Sequence, residues 1–569
     1  MPKAFFTIAL LFSCLLSSAQ KTTVRWGEEF KMRKGSTDLT VVFADKSGVY
    51  LEEGHLALKS YYVIGASLRS SAKLIKLDQN LNEIFTVSFD KELKGKEFIQ
   101  FFVLKGKIWL FASEELKKEG QFIVHAAEVT PSSGVLSSTW KTVTTLPREK
   151  KSDRIQFKIA PGADSLSMTM VTTMMGNEKE ILRVEKFDAA LKSTGPAAEI
   201  SNEFDRNTYK LEDVIYTSQD RIIVVGRTYE YREGKKKKDK FLDFVKYNVR
   251  MYDQAGKQLT DLDTDVEGKW ITSTKVVQQQ NRDLIVASFY SEDKKAKKLD
   301  GMMVQRLNSL TGAVVSTTNK KLDHSLLDTG ADEDDDQSDD TETKAERKER
   351  QKLEQMKDEG EEFSAYMKFR QIFYTADGGL LVVAEQYHNY TTSSYTYTPG
   401  TSGRPGSSTY RVYDIYECGE ILMCKLDAAS KIGWLKVLPK MQREVLEGGS
   451  GAALSYFASS NLPFYAGFGA MQVKDKVMLF FNDIKSNGAV TQAGQRIKKT
   501  TRFGRSDCFA VSIDPTTGAL TRKVIFSNSD NPTAMPRLGS VINNEMYLIG
   551  KDDKALGKSK VAIAKLTVK

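Results

Sequence analysis

The sequence predicts an all-β fold: a single β-propeller of eight four-stranded blades, its last blade completed by the chain's own N-terminal strand. Three observations predict it. An apolar run ending in a small residue recurs along the chain. Each run is followed by an alternating strand that ends in an apolar residue and then, most often, Asp. The final repeat is one strand short, while a spare strand stands near the start. Strand-like patterning repeated along a chain is the mark of a β-repeat architecture. Seven blades are the alternative count.

The chain opens with a lysine at position 3, an apolar run over 4–16 and small residues before Gln20. These are the features of a cleaved export signal. Residues 1–19 are therefore assigned to a signal peptide and 20–569 to the propeller, in the periplasm or outside the cell. The alternative is a lipoprotein anchored through Cys14. No later window is apolar over eighteen residues, so no transmembrane span is expected.

The apolar runs mark second strands: Val63-Ile64-Gly65, Leu110-Phe111-Ala112, Val224-Val225-Gly226, Ile285-Val286-Ala287, Val382-Val383-Ala384 and Leu548-Ile549-Gly550, with weaker copies at 165–172 and 477–483. Third strands end at Leu77-Asp78, Val129-Thr130, Phe187-Asp188, Tyr252-Asp253, Leu307-Asn308, Leu426-Asp427 and Ile513-Asp514. Gly134, Gly256, Gly312 and Gly518 follow four of these. Asp or Asn bonding the turn backbone and Gly in a left-handed position is tight-hairpin chemistry. One acid per loop is too few for calcium. First strands are expected at 98–104, 211–216, 367–374 and 470–473, and fourth strands at 84–89, 135–142, 434–438 and 520–526. The eighth blade, 535–569, lacks one strand. Residues 23–31, with Trp26 and Phe30, supply it and hide two sheet edges.

In such a ring, the loops joining strands two and three and those joining successive blades emerge on one face. Nearly all the extra length falls in these loops: 229–240, 322–364, 386–417, 441–465 and 484–506, with a smaller one at 291–299. Loops carried by a rigid scaffold are where binding residues gather. The 322–364 insertion is acidic and predicted disordered, then charged and helical. Lys235, Lys236, Lys237 and Lys238 and the 496–505 stretch, with Arg502 and Arg505, are basic. Tyr387, Tyr390, Tyr395, Tyr397, Tyr410, Tyr413 and Tyr416 fall on two β-like arms around a Gly/Pro-rich tip. They predict a long hairpin standing off the face, with aromatic area suited to a protein or carbohydrate partner.

The chain has 569 residues, 40% hydrophobic and 28% charged, enough apolar content for a large core. Its net charge of +9 comes from mixed charges rather than a basic stripe, so nucleic acid is not an expected partner. After the signal, Cys418, Cys424 and Cys508 remain and read as buried structural thiols. The four histidines lack zinc-ligand spacing, and no nucleophile elbow, P-loop or dinucleotide fingerprint is present. No metal, cofactor or catalytic residue is assigned.

The segments Ser512-Ile513-Asp514-Pro515-Thr516-Thr517-Gly518-Ala519-Leu520 and Leu307-Asn308-Ser309-Leu310-Thr311-Gly312, and Leu426-Asp427 followed by Trp434, resemble blade ends of quinoprotein-like eight-bladed propellers. That family includes quinone-dependent dehydrogenases and non-catalytic envelope scaffolds. Trp140 and Trp434 stand near the family's docking tryptophan, in shifted register. The enzymes' vicinal disulfide has no counterpart, since no two cysteines are adjacent, so the resemblance implies the scaffold branch.

The reading is an exported, monomeric, non-catalytic propeller that binds a protein or polysaccharide through its loop-rich face. The alternatives are a propeller enzyme, a glycoside hydrolase or quinone enzyme working at the funnel of that face, and a structural part of a cell-envelope assembly.

Overall fold

The computed structural model describes residues 22–568, apart from 33–35, 62–64, 149–153, 162–165, 176–178, 205–207, 218, 232–241, 264–268, 279–282, 293–298, 323–366, 399–406, 449–461 and 553–559. The described strands form eight antiparallel sheets. Seven are built on four consecutive strands in chain order, one of these gaining a fifth strand, and the eighth takes its outer strand from the N-terminus. Numbered along the chain, blade one spans Ser36–Asp45 to Glu83–Ser88 and blade eight holds Thr533–Ile542, Glu545–Asp552 and Lys560–Val568. Blade eight is completed from the N-terminus. Thr22–Trp26 pairs with Lys560–Val568 from Thr22↔Val568 to Trp26↔Ala564, and Phe30–Lys31 continues along it.

Eight apolar interfaces join successive blades, and the last joins blade eight to blade one through Ile549 and Ile563 against Leu39, Val49 and Leu51. The ring is closed. Within the second strand of blade four, Ile222 and Val224 pack towards blade three while Ile223 and Val225 pack towards blade five. A strand buried on both faces is apolar at every position. That is why second strands read as unbroken apolar runs.

The small residue ending those runs also has a structural cause. In six blades the inner strand carries extra residues where it pairs with the second: Val42, Ile99, Glu212, Thr272, Arg370 and the stretch 536–539. Ala112, Gly226 and Ala384 stand opposite the residue that opens the bulge. Bulges bend a strand and re-aim its side chains.

The Asp turns form as expected. Asp514 Oδ1 accepts from the N–H groups of Thr516 and Thr517, and Asp427 Oδ1 from Ala429 and Lys431. Gly134, Gly256, Gly312 and Gly518 all have positive φ. These turns also dock blades together. Trp434, on the outer strand of blade six, donates Nε1–H to Pro515 O at 2.9 Å, across the turn of blade seven. A methyl group on Gly518 would lie 3.1 Å from the Trp434 ring. Phe85 of blade one is set against Gly134 of blade two in the same way. Trp140 instead sits beside His125 and Lys96.

Three expectations are corrected. The second strand of blade one is Gly48–Tyr61, not the segment at Val63-Ile64-Gly65. Gly65 opens the third strand, and positions 63 and 64 lie outside the described residues. Blade one thus carries a long hairpin of its own on the loop-rich face. The outer strand of blade two is Lys141–Pro147, because 135–142 is taken up mainly by the turn after Val129. The tyrosine arms do not stand alone, as described next.

Candidate functional site

Leu380–Thr398 and Ser407–Leu426 pair from Leu380↔Leu426 to Thr398↔Ser407, with one irregularity between Glu385 and Tyr387, so the blade and its hairpin share two strands. Gln442–Gly448 adds a third strand, from Val412↔Gly448 to Cys418↔Gln442. This bracing buries part of the aromatic row: Tyr413 and Tyr416 are in the core, and Tyr390 is half-buried, accepting from Arg443 Nη2 at 3.2 Å. Tyr387 is half-buried under Lys368 and Arg370, 4.3 and 4.7 Å from its ring centre, and burial pushes its hydroxyl up to about 12. Tyr395 and Tyr410 are cross-strand partners near the tip, 61% and 66% exposed. The side chain of Tyr397 and residues Lys235, Lys236, Lys237 and Lys238 lie outside what is described, as does 323–366, which holds nearly all the acidic insertion.

The connection after the third strand is tied down across several blades. Glu444 accepts N–H bonds from Phe464, Tyr465 and Ala466 at 2.7–2.9 Å. Phe464 enters the apolar interface between blades eight and one. Arg537, in the extra stretch of blade eight's inner strand, donates to Pro463 O at 2.6 Å. Tyr465 stacks on Phe503 of the 484–506 insertion at 5.8 Å, and Cys418, Ala466 and Phe503 form a small core. The loop-rich face over blades six to one is therefore one packed unit.

The 484–506 insertion is held by Asp483. Its Oδ1 accepts from Thr500 Oγ1, Asn487 Nδ2 and the Ile484 N–H, and its Oδ2 from Arg522 Nη2 at 2.7 Å. Arg522 lies over the rings of Phe481 and Phe509. Of the two arginines expected to bind a partner, Arg505 is exposed and Arg502 half-exposed.

A pocket of about 190 Å³ opens in the channel wall at blades four to six. Its lining includes Glu212, Arg227, Lys275, Lys368 and Arg370, and two of these, Glu212 and Arg370, are bulge residues. None of them stood out in the sequence. The acids are engaged: Glu212 by Arg227 at 2.6 Å, and Asp213 by Lys158 at 2.7 Å and Lys275 at 3.6 Å. Behind the pocket, Glu385 pairs with both Arg370 and Lys440.

The thiols are free and buried, and burial pushes Cys418 and Cys424 up to about 12, so neither is a nucleophile at neutral pH. His125 lies on the third strand of blade two beside Glu114, and burial lowers its pKa. Among the described residues, no helix is long and apolar enough to cross a membrane.

Together these features define an all-β, eight-bladed propeller latched by its own N-terminal strand, with a built-up face over blades six to one. No family model matches the sequence, and no curated protein matches it. Among solved structures, the chain is similar to the β-propeller domain of the Trilobed protease from Pyrococcus furiosus (8% identity, covering 88% of this chain and 98% of that one, TM-score 0.30). It is also similar to prolyl oligopeptidase B from Galerina marginata (12%, 62% and 39%, TM-score 0.27) and α-L-arabinofuranosidase ARB93A from Fusarium graminearum (10%, 53% and 97%, TM-score 0.27). The chain spans about two fifths of the prolyl oligopeptidase's length. Likeness at this level carries no argument about function, and the fold rests on the strand order and the closed ring of interfaces.

Proposed function

We propose that this protein is an exported, non-catalytic propeller that binds a protein or polymer partner through its loop-rich face. The observation that carries the reading is the pair Tyr395 and Tyr410. They are directly opposed and more than half exposed, on a hairpin that a third strand stiffens. Rigid tyrosines give contact area at low entropic cost, and bracing lowers that cost further. A non-catalytic role is supported by the state of the reactive groups among the described residues: the cysteines are buried, and the two acids of the channel-wall pocket, Glu212 and Asp213, are held by cations. Export is supported by the signal-like residues 1–19, with Cys14 anchoring as the alternative. The docking of Trp434 on the Gly518 turn supports kinship with quinoprotein-like propellers in general, and the absence of adjacent cysteines favours their scaffold branch. The test is capture of partners from envelope extract by the mature protein and by a Tyr395→Ser/Tyr410→Ser variant. Capture falls at least tenfold in the variant while the melting temperature holds; equal capture removes the tip from the binding site.

A further inference from the structure

The channel-wall pocket stands apart from the hairpin tip and has a charge balance of its own. Three inner strands from consecutive blades meet there, Tyr209–Tyr216, Trp270–Gln278 and Met367–Tyr374, and each is bulged at the pocket, at Glu212, Thr272 and Arg370. Cations outnumber acids. Arg227, Lys275, Lys368 and Arg370 line the space with only Glu212 and Asp213 against them, and Asp213 is shared with Lys158. Glu385, the carboxylate behind Arg370, is itself divided between Arg370 and Lys440.

Two donors on this wall are left without an acceptor, although Arg227 already pairs with Glu212 through Nη2. Lys368 has no carboxylate within ion-pair distance among the described residues, and its ammonium rests over the Tyr387 ring. Arg227 Nε is buried and finds no acceptor among them. A buried N–H of a guanidinium costs free energy until an acceptor reaches it. The volume bounds what can enter: a cavity of roughly 150 Å³ holds a benzene ring, so about 190 Å³ admits a unit near the size of one sugar ring.

We propose that this pocket binds a compact oxyanion, a carboxylate or phosphate carried on a group no larger than one sugar ring, through Lys368, Arg227 and Arg370. Arginine forks match planar or tetrahedral oxyanions, and lysine adds a mobile point charge. The Lys368 side chain is open to the channel, yet partial desolvation by the surrounding wall and the neighbouring Arg370 and Arg227 lower its pKa, and a bound anion would relieve that repulsion. The proposal does not depend on the tip tyrosines, so the two fail separately.

The test is calorimetric titration of the mature protein, at 0.15 M salt and neutral pH, with glucuronate, inorganic phosphate and neutral glucose as probes. Saturable binding of glucuronate alone assigns a carboxylate, and of phosphate alone a phosphoryl group. Binding of both assigns the shared oxyanion chemistry. Lys368→Gln breaks no ion pair, so it should fold as the parent does and weaken binding about tenfold or more. Arg227→Gln is the second variant, read beside its melting curve. Binding of glucose as tight as of either anion, no binding of either anion, or equal binding by parent and Lys368→Gln overturns the proposal.

Discussion

Glu385 Oε1 lies 3.0 Å from Lys440 Nζ, and both side chains are wholly buried where blade six turns into its hairpin. The other oxygen accepts from Arg370 Nε at 2.8 Å, so one carboxylate holds two cations between the channel wall and the braced hairpin. Lys440 also donates to Cys418 O and Gln442 Oε1, which fixes the start of the third hairpin strand.

Among the described residues Glu385 is the one carboxylate paired with Lys440, so Glu385→Gln leaves the buried Lys440 and the partly buried Arg370 without their shared counter-charge. Breaking a buried pair from one side costs about 3–5 kcal/mol. The urea midpoint of the variant should fall accordingly, while Glu28→Gln, exposed near the N-terminus, should leave it unmoved. The same carboxylate sets an acid limit. Burial alone would raise its pKa, but Lys440 and Arg370 outweigh burial and hold it below 4.5. A lowered folded-state value gives stability that is full above the unfolded value and lost as pH falls through the folded one. The gap between parent and Glu385→Gln should therefore narrow as pH falls below 4.5 and close only once pH has passed the lowered folded-state value; a gap that widens as the pH falls would contradict the pairing.

Docking between blades can be separated from backbone strain at two glycines. Gly518 (φ +67°) lies under Trp434, whereas Gly494 (φ +76°) has nothing within 4 Å of where a Cβ would stand. Ala at either site meets the left-handed penalty of roughly 1–2 kcal/mol. Only Gly518→Ala should also displace the Trp434 ring and its bond to Pro515, worth about 1 kcal/mol more. Lys436 Cε and Cδ, at 3.0 and 3.1 Å, also meet that methyl but belong to a flexible side chain that can move aside. In a Trp434→Ala background, the Gly518→Ala cost should therefore shrink towards that of Gly494→Ala. Urea denaturation of the double-mutant cycle reads this, and full additivity would mean the turn and the tryptophan are not coupled.

Anion affinity at the channel pocket should fall with rising pH earlier than for an ordinary lysine. The groups facing Lys368 are Arg370 on its own strand, Arg227 and Glu212 from blade four, and Tyr387 and Cys418 from the hairpin. Burial, Arg370 and Arg227 lower its pKa more than Glu212 raises it. The charged, anion-binding form is therefore lost as pH climbs through a value below 10.5. Titrating phosphate or glucuronate binding between pH 7 and 10 checks the sign; affinity that holds flat in the parent but declines in Lys368→Gln would reverse it.

What the sequence disclosed was whatever is decided locally. Asp514 and Gly518 mark their turn because one residue bonds the turn backbone and the other adopts a conformation most side chains avoid. The apolar-apolar-small runs announced strands buried on both faces, whereas the bulges opposite Gly226 and Ala384 came only with the structure. The missing strand of blade eight could be matched to Trp26 because a deficit and a surplus are both countable. The channel pocket was hidden, since Glu212 and Lys368 stand far apart in the chain and meet only when three blades close on one axis. Val63-Ile64-Gly65 misled because the second strand, Gly48–Tyr61, ends before it and Gly65 already belongs to the third, so an apolar run alone did not mark the strand. The tyrosine row looked uniform in sequence, and only the strand Gln442–Gly448 divides Tyr413 and Tyr416, which it helps bury, from Tyr395 and Tyr410, which stay exposed.

Everything placed on the loop-rich face depends on where the ring is latched, and one pair of residues reports it. Thr23 and Thr567 are direct partners across the closing strands. Directly opposed residues of an antiparallel pair stand about 4.5–5.5 Å apart, within reach of a disulfide. Oxidation of a folded Thr23→Cys/Thr567→Cys variant should give a single intramolecular link, seen by mass spectrometry of the linked peptides, with a raised melting temperature. Free thiols at both positions after oxidation, or links formed only between molecules, would contradict the closed eight-bladed ring.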